Sequence, residues 1–208
     1  MKVILISDTH GLHAGLVLPA GDTLVHAGDL TSRGSMSEVR AALQWFANVG
    51  DFRHRVLIAG NHDFLFEKDP ETAWALMPDN VTYLNDSGET LDGVKFWGSP
   101  VTPWFHDWAF NRRGAEIKPH WDLIPGDTDV LITHGPPAGI LDTVYPRDEH
   151  VGCPELLWAV RRVQPKLHVF GHIHEGYGSH IGGAVTSVNA SICDRNYKPL
   201  NKPVEMIL

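Results

Sequence analysis

The chain has 208 residues, 43% of them hydrophobic and 20% charged, with a formal net charge of −8. That length supports a substantial core, and the composition is that of a globular chain rather than a disordered one. The acidic balance, with no block of five like charges, argues against long duplex nucleic acid as a partner, which is normally met by a basic surface. The apolar runs fall far short of the roughly 20 residues needed to cross a bilayer. Cys153 and Cys193 are the only cysteines and form no CxxC pair. They read as reduced thiols of a cytosolic protein. Met1 to Ile6 lead straight into Asp8, without the apolar stretch and cleavage site of a signal peptide, so the expected location is cytoplasmic.

The first run, VILIS, is short, apolar and β-branched, which predicts a buried strand, and it ends at Asp8-Thr9-His10. A second, TLVHA, ends at Gly28-Asp29. Ser35-Met36-Ser37-Glu38 then has the spacing of a capping box. Val39, Ala42, Leu43 and Phe46 follow at helical spacing, with Gly50 as the stop. The third run, RVLIA, ends at Gly60-Asn61-His62-Asp63. A second helix is expected from Asp69-Pro70 through Trp74 to about Met77, because proline suits a first turn.

VKFW at 94–97 predicts another strand, and the prolines of the 98–110 stretch argue against a regular helix or central strand in its first half. DVLIT ends at His134-Gly135. A third helix starts near Pro154, carries Leu156, Leu157 and Val160, and ends before Pro165. LHVF ends at Gly171-His172-Ile173-His174, and AVTSV (184–188) and VEMIL (204–208) read as strands. With no repeat, low-complexity tract or linker, residues 1–208 are expected to form a single domain. Strands alternating with helices predict an α/β fold, and the strand-rich C-terminal half suggests a mixed second sheet.

Five strands that each stop at a polar residue deliver Asp, Asn and His side chains to a sheet's carboxyl edge, where open α/β folds bind ligands. If the segments stay extended, the side-chain period of two puts Asp8 beside His10 and His172 beside His174. Asp29 and Asn61 add oxygen ligands and His134 adds nitrogen, while His62 is left over. Seven ligands exceed one tetrahedral zinc. They suit two ions about 3.5–4 Å apart that share a carboxylate. Any one of these residues alone reads as a turn or capping residue; capping does not call for the whole ordered set.

The order D-x-H, GD, GNH[DE], GH and GHxH resembles the calcineurin-like metallophosphoesterases. HAGD, IAGNHD, GSPxxPWF, ITHGPP, VGCxELL, VQPKLHVFGHIHEGYG and VNAS resemble the MPPED branch, related to class III cyclic-nucleotide phosphodiesterases. The resemblance implies two mixed β-sheets packed as a sandwich and flanked by helices, four layers α/β/β/α. It implies one ion held by Asp8, His10, Asp29 and His174, and another by Asp29, Asn61, His134 and His172, with Asp29 bridging. Manganese is favoured, with iron, zinc, cobalt or nickel as other occupants. It also implies a metal-activated water as nucleophile and His62 as acid or hydrogen-bond donor at the leaving group.

Protein serine/threonine phosphatases of that superfamily carry GDxxDRG, whereas this chain reads Gly28-Asp29-Leu30-Thr31-Ser32-Arg33-Gly34. Ser32 at the second Asp position turns the reading away from a protein phosphatase and leaves Asp63 or a backbone carbonyl to orient His62. Trp104, Phe105 and Trp108 are candidates to stack on a nucleobase, against the alternative that they pack under a long loop. Arg33, Arg112, Arg113, Arg147 and His106 are candidates to touch substrate, and His26 to support a ligand from behind. The expected activity is hydrolysis of small phosphodiesters, cyclic nucleotides foremost. A phosphomonoesterase or nucleotidase is the nearest rival, and an inactive binding scaffold a remoter one.

Overall fold

The computed structural model describes residues 1–208, and each of the five apolar runs forms a strand. β1 (Lys2–Ile6), β2 (Thr23–Ala27), β3 (His54–Ile58) and β4 (Thr82–Tyr83) run parallel in one sheet, and β15 (Val204–Ile207) closes its edge antiparallel to β1. The second sheet has the order β13 (Gly178–Gly182), β14 (Val185–Asn189), β12 (Leu167–Phe170), β9 (Val130–Thr133), β6 (Val94–Ser99), β5 (Ser87–Leu91). Its four inner strands are parallel and both edge strands antiparallel. Two-residue pairs, β7 (Thr102–Pro103) with β8 (Asn111–Arg112) and β10 (Thr143–Val144) with β11 (Glu149–His150), brace the loops.

The alternation of side chains along a strand sorts the core into layers. Val3, Leu5, Val25 and Ile58 of the first sheet meet Val130, Ile132, Leu167 and Val169 of the second. Ile4, Ile6, Leu24 and Leu57 face outward onto α1 (Met36–Asn48), which buries Val39, Ala42, Leu43 and Phe46 against them. On the far side, Leu131 packs with α4 (Lys118–Asp122) and α5 (Pro154–Val163) through Trp121, Leu156 and Val160. The architecture is therefore the four-layer α/β/β/α sandwich with mixed sheets. The Ser35 capping box forms, with the Glu38 amide donating to Ser35 Oγ and the Ser35 amide to the Glu38 carboxylate.

Departures from the sequence reading have simple causes. α2 (Phe64–Lys68) and α4 are five residues each, too short to display a helical period, and α3 (Pro70–Ala75) stops at Ala75 rather than near Met77. β13, GSHIG, is a largely exposed edge strand without an apolar signature. No helix is long and apolar enough to cross a membrane.

Strand ends are stitched together within each sheet and, through Ile192 and Ser7, between the sheets. The Gly171 amide donates to the His134 carbonyl, the Ile192 amide to the Ser7 carbonyl and the Asp8 amide to the Gly28 carbonyl. With the His62 amide donating to Asp29 Oδ1 and Asn61 Oδ1 beside His134 Nε2, the loops after β1, β2, β3, β9 and β12 share one edge of the molecule.

Candidate metal centre

The backbone that delivers these side chains is turned, not extended. Asp8 (φ 52°), His10 (φ 45°), Asp29 (φ 56°) and His172 (φ 66°) all lie in the left-handed region, which costs free energy for residues with a Cβ. The strand-parity expectation for Asp8 with His10 and for His172 with His174 is thus corrected. β1 ends at Ile6 and β12 at Phe170, and tight turns, with His174 opening a short 3-10 helix, aim the residues inward. Two glycines make room. A Cβ on Gly60 would strike the Asp29 carboxylate and backbone, and one on Gly171 the Asp8 carboxylate and Ser7.

Three sets of donor atoms converge: Asp8 with His10 and His174, His10 with Asp29 and His62, and Asp29 with His134 and His172. Asp29 and His10 each belong to two of them. Asp8 is fixed by the Ser191 hydroxyl at 2.9 Å and the His172 amide at 3.0 Å, and Asp29 by the His62 amide at 2.8 Å.

Hydrogen bonding sets the ring orientations. The Nδ1 of His134 lies 2.9 Å from the Ala27 carbonyl, that of His174 2.9 Å from the Asp194 carbonyl, and that of His62 2.8 Å from the Ser32 carbonyl. A carbonyl oxygen only accepts, so each Nδ1 carries a proton, and on His134 and His174 the inward Nε2 is a lone pair whenever the ring is neutral. His134 Nε2 then faces Asn61 Oδ1 at 2.9 Å and Asp29 Oδ2 at 3.3 Å. His174 Nε2 faces Asp8 Oδ1 at 3.4 Å and His10 Nε2 at 3.2 Å. Lone pairs pointed at carboxylate oxygens in a buried site repel unless positive charge lies between them.

Either protons or metal cations can supply that charge. Burial lowers His134 and His174, yet the Asp29 and Asp8 carboxylates lift both to about 9. Burial likewise raises Asp8 and Asp29, yet His174 and His134 hold both below the usual carboxylate range. His10 Nδ1 is buried without a partner. A mixed set of carboxylate oxygens and carbonyl-tethered imidazoles has the chemistry of a divalent-cation site, and the donors present fit such ions.

Around this cluster opens a cavity of about 640 Å³. His10 and His62 form its floor, Arg33 and Lys68 contribute cations, and Trp108 and Tyr197 contribute rings. Trp108 packs against His62 with ring centroids 4.3 Å apart and 32° between planes. Of the aromatic loop only Trp108 reaches this cavity. Trp104 lies beneath the Arg113 guanidinium beside a separate cavity, and Phe105 is exposed with His106 packed on it. Arg112 pairs with Glu67 and Arg113 with Asp107.

The other expected supports act differently from their sequence-derived roles. His26 bonds the Thr9 hydroxyl at 3.0 Å, so it touches the loop between two candidate ligands rather than a ligand side chain. Asp63 accepts from the amides of Leu30, Thr31 and Gly60 and from the Thr31 hydroxyl, tying the second and third motif loops together. It does not orient the His62 ring; a backbone carbonyl, the other expected orienter, does, and it is that of Ser32. Ser191, Tyr197 and Lys68 went unrecognised. Ser191 lies in the VNAS segment, but its aim at Asp8 required the fold.

Comparison with known proteins adds four findings. The calcineurin-like phosphoesterase family profile matches residues 1–176. Metallophosphoesterase domain-containing protein 1 of Homo sapiens is 42% identical over 228 residues, covering 98% of this chain and 69% of that protein. A UPF0046 protein of Caenorhabditis elegans is 36% identical over 220 residues, covering 98% of this chain and 74% of its own length. A solved structure with 16% identity superposes with a TM-score of 0.67 over 90% of this chain and 89% of the other, a likeness of fold.

Proposed function

The chain belongs to the calcineurin-like phosphoesterase family, and from that premise we propose that it hydrolyses small phosphodiesters, cyclic nucleotides foremost, at a centre of two divalent ions. In this reading Asp8, His10, Asp29 and His174 hold one ion and Asp29, Asn61, His134 and His172 the other, with manganese preferred. The ions, when bound, supply positive charge for the phosphoryl oxygens and an acidified water as nucleophile. Both sheets furnish ligands, so residues 1–208 act as one domain. Two buried free cysteines, Cys153 and Cys193, suit a reducing compartment, and we place the protein in the cytoplasm.

The observation that carries the proposal is the inward set of Nε2 lone pairs on His134 and His174, facing Asp29 and Asp8. His62 stands apart from that set. The Ser32 carbonyl holds its Nδ1–H, and its Nε2 lies 4.0 Å from Asp29 Oδ2 at the cavity floor. There, with a proton on Nε2 as well, it donates that proton or a hydrogen bond to the departing oxygen. Ser32 stands where protein phosphatases of the superfamily carry the second Asp of GDxxDRG, which turns the reading away from phosphoproteins.

Steady-state rates of the manganese-loaded protein on bis(p-nitrophenyl) phosphate and p-nitrophenyl phosphate test the choice of ester. The expected outcome is a higher kcat/KM on the diester. A clear preference for the monoester would replace the diesterase reading with the phosphomonoesterase or nucleotidase one.

A further inference from the structure

Tyr197 is the one ring at this cavity that comes from the C-terminal segment, and no sequence motif singles it out. It lies in the left-handed region at φ 56°, an uncommon conformation for an aromatic residue. A tight turn over 194–198 maintains it. The Asp194 carboxylate accepts from the amides of Asn196 at 2.8 Å and Lys198 at 2.9 Å. The Tyr197 amide donates to the Asp194 carbonyl at 2.9 Å, and the Asp194 amide donates to the Lys198 carbonyl at 2.8 Å. That same Asp194 carbonyl takes the Nδ1–H of His174. One residue thus fixes both the imidazole and the aromatic ring beside it.

The Tyr197 ring packs 4.8 Å from His10 and 5.2 Å from His174, centroid to centroid, both nearly edge to face, and remains half exposed. The rings run Trp108, His62, His10, Tyr197 around the cavity, with 4.3, 4.7 and 4.8 Å between successive centroids. Only the two outer members carry large apolar faces. Arg33 and Lys68 stand on the same cavity, with Lys68 Nζ 4.5 Å over the Phe64 ring. This strained aromatic packs on candidate ligand rings rather than on the hydrophobic core, and its exposed half faces the cavity. Its use is to meet something that enters.

We propose that Tyr197 is a specificity-determining residue, and that it forms with Trp108 a subsite for a planar aromatic group carried by the phosphoester. The contact is made by the ring of Tyr197, and Arg33 and Lys68 favour substrates bearing further negative charge. This rests on the phosphoesterase reading above.

The test is isothermal titration of the manganese-loaded protein with phenylphosphonate and methylphosphonate, two non-hydrolysable probes that differ in the organic group. Metal content and thermal melting of each variant confirm an intact fold. The wild-type protein should bind phenylphosphonate about fivefold more tightly, the scale of one aromatic contact. Tyr197→Leu should bring the ratio of the two affinities close to one, and Tyr197→Phe should preserve it. A wild-type ratio of one, a ratio unchanged in Tyr197→Leu, or equal losses in the Phe and Leu variants would each overturn the subsite. If the ratio behaves as expected and no phosphoester is turned over, the phosphoesterase reading fails and the aromatic contact stands. If esters are turned over and the ratio ignores Tyr197, the reverse holds.

Discussion

At Gly171 the Cα lies so close to the Asp8 carboxylate and to Ser7 that a methyl group cannot enter without moving one of them. Asp8 has little room to move, being pinned by Ser191 and by the His172 amide. Gly171→Ala should therefore displace a proposed ligand while leaving the distant core layers intact. We expect manganese affinity to fall at least about tenfold, roughly 1.4 kcal/mol, with secondary structure retained; metal titration with circular dichroism reads both. Unchanged affinity would mean that Asp8 does not hold metal. The candidate ligands were legible in the sequence because Asp, Asn and His recur in a fixed order after apolar runs. Of their supports, a backbone carbonyl was expected for His62 but not which one, and the Ala27 and Asp194 carbonyls were not expected at all, because a backbone carbonyl leaves no side-chain signature. Asp63 was noticed for its proximity to His62, whereas its actual partners are amides on two loops.

At the scale of the elements, β9 and β12 carry a buried pair that makes the sheet acid-sensitive. Thr133 Oγ1 donates to the Gly135 carbonyl at 2.8 Å, so His168 Nε2, also 2.8 Å away, must donate to Thr133. His168 Nδ1 is then a buried lone pair without a partner, and burial pushes the imidazole down to about 3. In the unfolded chain an ordinary histidine takes up its proton near pH 6.5. The folded value lies below the unfolded one, so this stabilisation is complete above about pH 6.5 and is lost as pH falls toward 3. The expected slope is up to about 1.4 kcal/mol per pH unit for this residue. Urea unfolding at several pH values should show His168→Gln flattening the dependence between about pH 6 and 4; identical slopes in both proteins would refute the assignment. Element legibility followed length and burial. Capped, amphipathic α1 and the apolar inner strands announced themselves, whereas five-residue α2 and α4 and the exposed strand β13 carried no periodic signal. The left-handed turns after β1 and β12 were also hidden, because non-glycine residues seldom adopt that conformation.

Across the whole molecule, two sheets deliver their strand ends to one edge, and there a chain of net charge −8 concentrates carboxylates and imidazoles that call for cations. The overall charge describes the surface and says little about this centre, where bound ions would outweigh Asp8 and Asp29 and draw an anionic phosphoester in. The four-layer sandwich followed from the family resemblance more than from periodicity, which suggested only a mixed second sheet. Dependence on metal is the claim on which the rest stands. The direct measurement is the rate of bis(p-nitrophenyl) phosphate hydrolysis by chelator-stripped protein titrated with manganese, at protein concentrations well above the dissociation constant. A two-ion centre requires no turnover in the stripped protein and a rate that rises to a plateau at two equivalents of metal. Undiminished turnover after stripping, or a plateau at one equivalent, would contradict it.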